Sequence, residues 1–186
     1  VRFAGMLSER ERVQALEAAT IVICPSPYES LSLLALEALA VGTPILVNGD
    51  LIFSCDGGAD PFVVALKASD GSVRWKVDRR STFPRTFSFA TAAYTEFKGR
   101  KQIISPASGF VASYDPKDGK ELWRARYGGW SVIAKPVFSD DLTFISTGYE
   151  APTVIAVRMD GSGDVTDSHI AWTLRRGAPN TPSFLI

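Results

Sequence analysis

Residues 63–77 read VVALKASDGSVRWKV, and residues 111–125 read VASYDPKDGKELWRA. In both, apolar and polar side chains alternate, an Asp-Gly pair follows, and a tryptophan stands four positions after the glycine. Alternation with period two marks a strand with one buried face. Asp-Gly supplies the positive φ that a tight strand connection needs. Each stretch therefore reads as a hairpin, turning at Asp70-Gly71 or Asp118-Gly119 and placing Trp75 or Trp123 on its second strand. Residues 154–174, VIAVRMDGSGDVTDSHIAWTL, are the same unit with an insertion ahead of Trp172.

The three tryptophans fall 48 and 49 residues apart. Repeats of this length, each with one aromatic mark, are the signature of β-propeller blades. A ring that recurs at one place per blade is expected to pack between blades, so Trp75, Trp123 and Trp172, with Gly71 and Gly119, are read as structural. Pro136 and Pro182 open equivalent strands 46 residues apart, and two further steps of that size back from Pro136 reach Pro44, which opens PILVNGDLIFS. The blade register begins there, holds three blade lengths, and stops inside the next hairpin.

ALKASDGSVRW, residues 65–75, resembles the repeat of the pyrroloquinoline-quinone-type propellers, a group holding quinoprotein dehydrogenases and many non-enzymatic relatives, among them an outer-membrane assembly scaffold. The resemblance implies an incomplete antiparallel propeller whose partners are a protein or the missing blades. The dehydrogenase members use adjacent cysteines near the quinone and an acidic calcium site. Cys24 and Cys55 are far apart and read as buried thiols. Asp160, Ser162 and Asp164 are spaced like part of a calcium loop, but Val165 stands where that loop needs Gly. His169 has no Ser or Cys partner at a motif spacing. Redox catalysis is therefore not expected, and no cofactor or metal is assigned.

The first fifty residues follow another pattern. Ser8 and Glu11 make a capping-box spacing at the head of a helix, and the order strand, helix, strand, helix, strand up to TPILVN is the rhythm of a parallel α/β sheet. Glu37 is the only charged side chain between Ser30 and Gly49, on an apolar helix, so its carboxylate must be paired or meet a ligand. Glu29 lies about two turns earlier, beside a helix start that attracts phosphate.

PSPYESLSLLALEALAVGTPILVNG, residues 25–49, resembles the donor-binding segment of retaining GT-B glycosyltransferases with the E-x7-E signature. The resemblance implies that Glu37 accepts hydrogen bonds from the ribose of a nucleotide sugar and Glu29 holds the sugar. The amides around Ser32 and Leu33 would face the diphosphate. Ser32 stands where many members have Gly.

Composition narrows the partners. Lys plus Arg number 20 and Asp plus Glu 20, so the chain lacks the basic field of a nucleic-acid binder. No apolar run reaches the roughly 18 residues of a membrane span. The expected fold is mixed: a short Rossmann-like α/β unit over residues 1–49, then about three propeller blades over 50–186, joined as in a chimera. The first functional reading is a non-catalytic binding or scaffold module. Second comes the nucleotide-sugar-binding part of a retaining glycosyltransferase, and third a fragment of a quinoprotein oxidoreductase. Uncovered blade faces predict self-association. The glycosyltransferase resemblance implies a cytoplasmic protein and the propeller resemblance an exported one, so no compartment is assigned.

Overall fold

The structure, a computed structural model, describes Ser8, Arg10, Glu11 and residues 45–56 and 59–183. The chain divides into two compact units, Val1–Pro44 and Ile45–Ile186. In the first unit, the Ser8 hydroxyl and backbone N–H both donate to a Glu11 carboxylate oxygen, at 2.6 and 2.9 Å. The Glu11 N–H donates back to Ser8 Oγ at 3.4 Å, completing the reciprocal N-terminal lock the sequence spacing predicts.

The expected mixed class is corrected by what the structure describes. The described residues form thirteen strands and one four-residue helix, α1 (Thr166–His169), with Arg10 and Glu11 also helical and no Rossmann-like unit among them. From Ile45 onward the period-two alternation and two-residue turns favour strands throughout. Of residues 1–49, on which the α/β reading rested, 1–7, 9 and 12–44 lie outside the described residues.

Three antiparallel meanders make up the second unit. The first sheet runs β1 (Ile45–Val47), β2 (Asp50–Cys55), β3 (Phe62–Lys67), β4 (Val73–Asp78) in spatial order. The second contains β5 (Ala93–Phe97), β6 (Arg100–Ala107), β7 (Phe110–Tyr114) and β8 (Glu121–Arg126), and the third β9 (Val137–Ser139), β10 (Leu142–Ser146), β11 (Val154–Arg158) and β13 (Ile170–Leu174). Asn48 and Gly49, at φ 52° and 83°, close the first hairpin with both residues left-handed, the conformation that suits a two-residue turn. A two-residue strand, β12 (Gly163–Asp164), leaves the third meander and pairs in parallel with β8. The insertion ahead of Trp172 thus covers the outer edge of the neighbouring sheet, an edge that would otherwise offer unpaired backbone groups.

The sheets stack face to face. Trp75, Val63 and Ala65 of the first pack on Ile103, Ala112 and Tyr114 of the second. Ile104, Val111 and Trp123 turn the other way, onto Ile145, Ile155 and Val157 of the third. The alternation along β6 and β7 therefore buries the second sheet on both faces. Among the described residues the sheets number three, fewer than the four to eight with which a propeller closes.

A repeated irregularity sets the tryptophans. Pairing slips by one residue between Ala65 and Leu66, between Ser113 and Tyr114, and between Ala156 and Val157. Arg74, Leu122 and Ala171 are thereby left as the extra residue ahead of each tryptophan. A bulge of this kind bends its strand and re-aims the following side chain. Each tryptophan then lies opposite a small residue: Ala65, Ser113 or Ala156.

Candidate functional site

Glu29, Ser32, Leu33 and Glu37 lie outside the described residues, so the geometry below belongs to the second unit. Two of the three marked tryptophans are seam elements. Trp75 Nε1 donates to the Pro116 carbonyl at 3.0 Å, across the seam between the first two sheets. Trp123, fully buried, uses a relay: its Nε1 donates to Gln102 Oε1 at 2.8 Å, and Gln102 Nε2 donates to the Met159 carbonyl of the third sheet at 3.0 Å. Pro116 and Met159 occupy the same place in their repeats. Trp172 departs from the expectation of a packed ring: it is 45% exposed and stacks on Phe144 of its own sheet at 5.6 Å. Gly71 is at an open turn, whereas Gly119 lies under the Trp75 ring.

Behind the first seam is a buried ionic group that the sequence did not announce. Arg79, 1% exposed, donates through Nη1 to Ser105 Oγ at 2.7 Å and through Nη2 to the Ser105 and Pro106 carbonyls. Its Nε lies 3.3 Å from Asp56 Oδ1. Burial pushes the Asp56 carboxyl up to about 6, against the opposing pull of Arg79. Burial likewise raises the Tyr127 hydroxyl, which donates to the Ala107 carbonyl at 2.6 Å. Arg79 thus ties the first sheet to the second, while Tyr127 links two strands of the second sheet. Nothing in the run ASDGSVRWKVDRR distinguished Arg79 from its exposed neighbour Arg80 before folding.

The polar loops singled out by spacing behave differently from a metal site. Asp164 accepts from the Thr166 hydroxyl and N–H and from Arg126, which hold its carboxyl down to about 2. Asp60 faces Arg80 at 3.6 Å. A quinone with its calcium asks for converging carboxylates. Among the described residues no three His, Cys, Asp or Glu come together, so this donor set does not fit that group. His169 does have a neighbour the spacing reading missed: Ser168 Oγ lies 2.7 Å from Nδ1, while Asp160 stands 3.6 Å from Nε2, too far for a hydrogen bond. Cys55, read as a buried thiol, is exposed; it ends β2, where the strand alternation turns outward. Cys24 lies outside the described residues.

At the end of the sheets where the β10–β11 loop meets the connections between sheets, aromatic rings gather. Phe87 and Trp130 meet edge to face at 5.1 Å, Trp130 and Tyr149 at 5.3 Å, and Phe87 and Phe89 are 5.9 Å apart. The Arg85 guanidinium lies 4.2 Å over the Trp130 ring and pairs with Glu150 at 3.3 Å. Close backbone approaches hold the loops: a Cβ at Gly148 would stand 2.2 Å from the Trp130 carbonyl oxygen. Phe89 and Tyr149 are nonetheless 61% and 52% exposed. Rigid, exposed aromatic rings of this kind supply contact area at little entropic cost.

Fold and site together define a module of β-propeller blades. Residues 63–185, more than half of the chain, match the model of the family described as outer membrane protein assembly factor BamB, and the chain belongs to that family. Residues 1–51 match the glycosyl transferases group 1 family, so the arrangement is chimeric. Over 64 residues the chain is 39% identical to a GDP-mannose-dependent alpha-(1-6)-phosphatidylinositol dimannoside mannosyltransferase of Mycobacterium tuberculosis, covering 32% of this chain and 17% of that protein. Among solved structures, BamB from Moraxella catarrhalis is similar at 20% identity and a TM-score of 0.48, covering 72% of this chain and 37% of that one. A europium-containing methanol dehydrogenase is similar at 14% identity and the same TM-score, covering 68% and 23%.

Proposed function

We propose that the chain is a non-catalytic binding or scaffold module in which the propeller blades present a protein-docking surface. The observation that carries this reading is the aromatic cluster of Phe87, Phe89, Trp130 and Tyr149, in which Phe89 and Tyr149 are exposed and the Trp130 ring is braced by Arg85 and Glu150. The buried polar side chains between the sheets are spent on joining them: Arg79 on Ser105 and Pro106, Gln102 on Trp123 and Met159. The partner is a protein that buries the Phe89 and Tyr149 rings. A photo-crosslinking residue at Phe89 or Tyr149 should capture one discrete protein in the cells of origin, whereas the same residue at Lys67 should capture none. Equal capture from all three positions, or none from any, would defeat the reading.

A second reading has its own support, the match of residues 1–51 to glycosyl transferases group 1. In it, Glu37 and Glu29 hold the ribose and sugar of a donor, with the amides near Ser32 and Leu33 on the diphosphate. GDP-mannose is the donor named for the mannosyltransferase relative, and it is the probe of choice. The scaffold reading expects no sugar transfer and binding no tighter than roughly millimolar, about 4 kcal/mol. Micromolar binding in a calorimetric titration, lost in Glu37→Gln, would instead establish the donor site. The quinoprotein reading ranks third, and added pyrroloquinoline quinone should give neither bound-quinone absorbance nor dye-linked oxidation.

A further inference from the structure

At the opposite end of the strands from the aromatic cluster, the turns β1–β2, β5–β6 and β7–β8 gather around a cleft of about 550 Å³ between the first two sheets. That volume suits a small ligand, and the charges lining it are unbalanced. Asp50 pairs with Arg74, so these two cancel. Arg100, Lys101 and Lys117 also line the cleft, and none has a carboxylate within ion-pairing distance among the described residues. Arg100 spends Nη1 on the Gly161 carbonyl at 2.7 Å, which fixes its guanidinium without neutralising it. Asp115 is the one further carboxylate of the lining, and its Oδ1 accepts from the Lys117 backbone N–H. A concave surface with surplus cations concentrates anions.

The wall of the cleft adds a second demand. Asp50 is 5% exposed, and its Oδ1 has no hydrogen-bond partner. A buried acceptor left unpaired costs stability, and a hydroxyl donor brought against it would relieve that cost. Asn48, exposed on the adjoining turn, offers an amide with both donor and acceptor atoms. Cations at one side, of which Arg100 is held in place, and neutral or anionic acceptors at the other match a ligand with a phosphate and several hydroxyls.

We propose that this cleft binds a sugar phosphate, with Arg100, Lys101 and Lys117 on the phosphate and Asp50 and Asn48 on the hydroxyls. The site is separate from the aromatic docking surface and stands whether or not that surface has a partner. It also has a built-in reporter, because the Trp75 indole N–H bonds the carbonyl of Pro116, which lines the cleft.

The test is titration of the full chain with glucose 6-phosphate, inorganic phosphate and glucose, read by calorimetry and by the Trp75 indole N–H signal in NMR. Glucose 6-phosphate should bind tightest, inorganic phosphate more weakly, and glucose not measurably. Binding should weaken with added salt. The double variant Lys101→Glu, Lys117→Glu alters two exposed side chains and should melt like the parent while binding glucose 6-phosphate about tenfold or more weakly. No binding of glucose 6-phosphate, unchanged affinity in the folded double variant, or inorganic phosphate binding as tightly as the sugar phosphate would each overturn the proposal.

Discussion

Trp75 lies against Gly119 so closely that a Cβ on the glycine would stand 2.5 Å from the ring carbon Cε3. The contact joins the outer strand of the first sheet to the Asp-Gly turn of the second. Gly119 also has φ +75°, where a side chain is strained. Gly119→Ala should therefore cost roughly 2–4 kcal/mol, from left-handed strain plus overpacking. Gly71 has nearly the same φ, +71°, with nothing within 4 Å of an added Cβ, so Gly71→Ala should cost only about 1–2 kcal/mol. Urea melts of the two variants separate the effects. Equal losses would mean that the seam contact contributes nothing.

Gln102 is the node of the second seam. It is fully buried and accepts from both Trp123 Nε1 and Ser113 Oγ while donating to the Met159 carbonyl. Replacing it with leucine leaves three buried polar groups unpaired at once. Gln102→Leu should then lose on the order of 3–5 kcal/mol, given the usual cost of each unsatisfied group. Trp123→Phe in the Gln102→Leu background should recover part of that loss, because it removes one orphaned donor. A double variant that melts below both single variants would contradict the network.

Both predictions also mark what was readable before folding. The hairpins at Asp70-Gly71 and Asp118-Gly119 and the repeat spacing of the tryptophans were legible because turn chemistry and period-two burial are local properties. The Ser8–Glu11 lock was legible for the same reason. The bulge at Arg74, Leu122 and Ala171 was not, since a one-residue slip depends on the pairing strand. Gln102, Arg79 and the rings of Phe87, Trp130 and Tyr149 acquire their roles through partners 11 or more positions away. Trp172 misled because its repeat position matches Trp75 and Trp123, while its surroundings do not. The mixed fold class rested on residues 1–49, most of which lie outside the described residues, and from Ile45 onward the regular elements are strands apart from α1.

Asp56 sets a pH dependence of unusual sign. Its folded-state pKa is lifted to about 6 by burial, above the roughly 3.9 of an unfolded aspartate. The native state therefore holds the proton more tightly, and its contribution is complete below the unfolded value. It is lost as pH rises from about 4 to 6, by at most ~3 kcal/mol for a shift of this size. Asp164, pulled down to about 2 by Thr166 and Arg126, acts in the opposite sense and loses its contribution as pH falls. Stability of Asp56→Asn, measured by urea melts across this range, should lack the decline between about pH 4 and 6 that the parent shows. Parallel curves for parent and variant would refute the assignment.

The third sheet's outer face leads to the prediction about assembly. Trp75 faces the second sheet and Trp123 the third, so Trp172, at the equivalent register, faces away from both. Trp172 and Leu174 are 45% and 47% exposed on β13, with Phe144 stacked beside the indole. A tryptophan in this setting carries on the order of 150–250 Å² of surface that favours burial, and an apolar face on an open sheet invites association. A second copy of the chain, or further blades of a longer one, would serve equally as cover; for the chain on its own the available partner is another copy. Sedimentation velocity should therefore show association that grows with concentration. Trp172→Lys combined with Leu174→Lys should shift the chain toward monomer without lowering its melting temperature, since neither side chain is buried in either core cluster. A compact monomer with a sharp melt at every concentration, unchanged by the two lysines, would show that the Trp172 face is stable without cover.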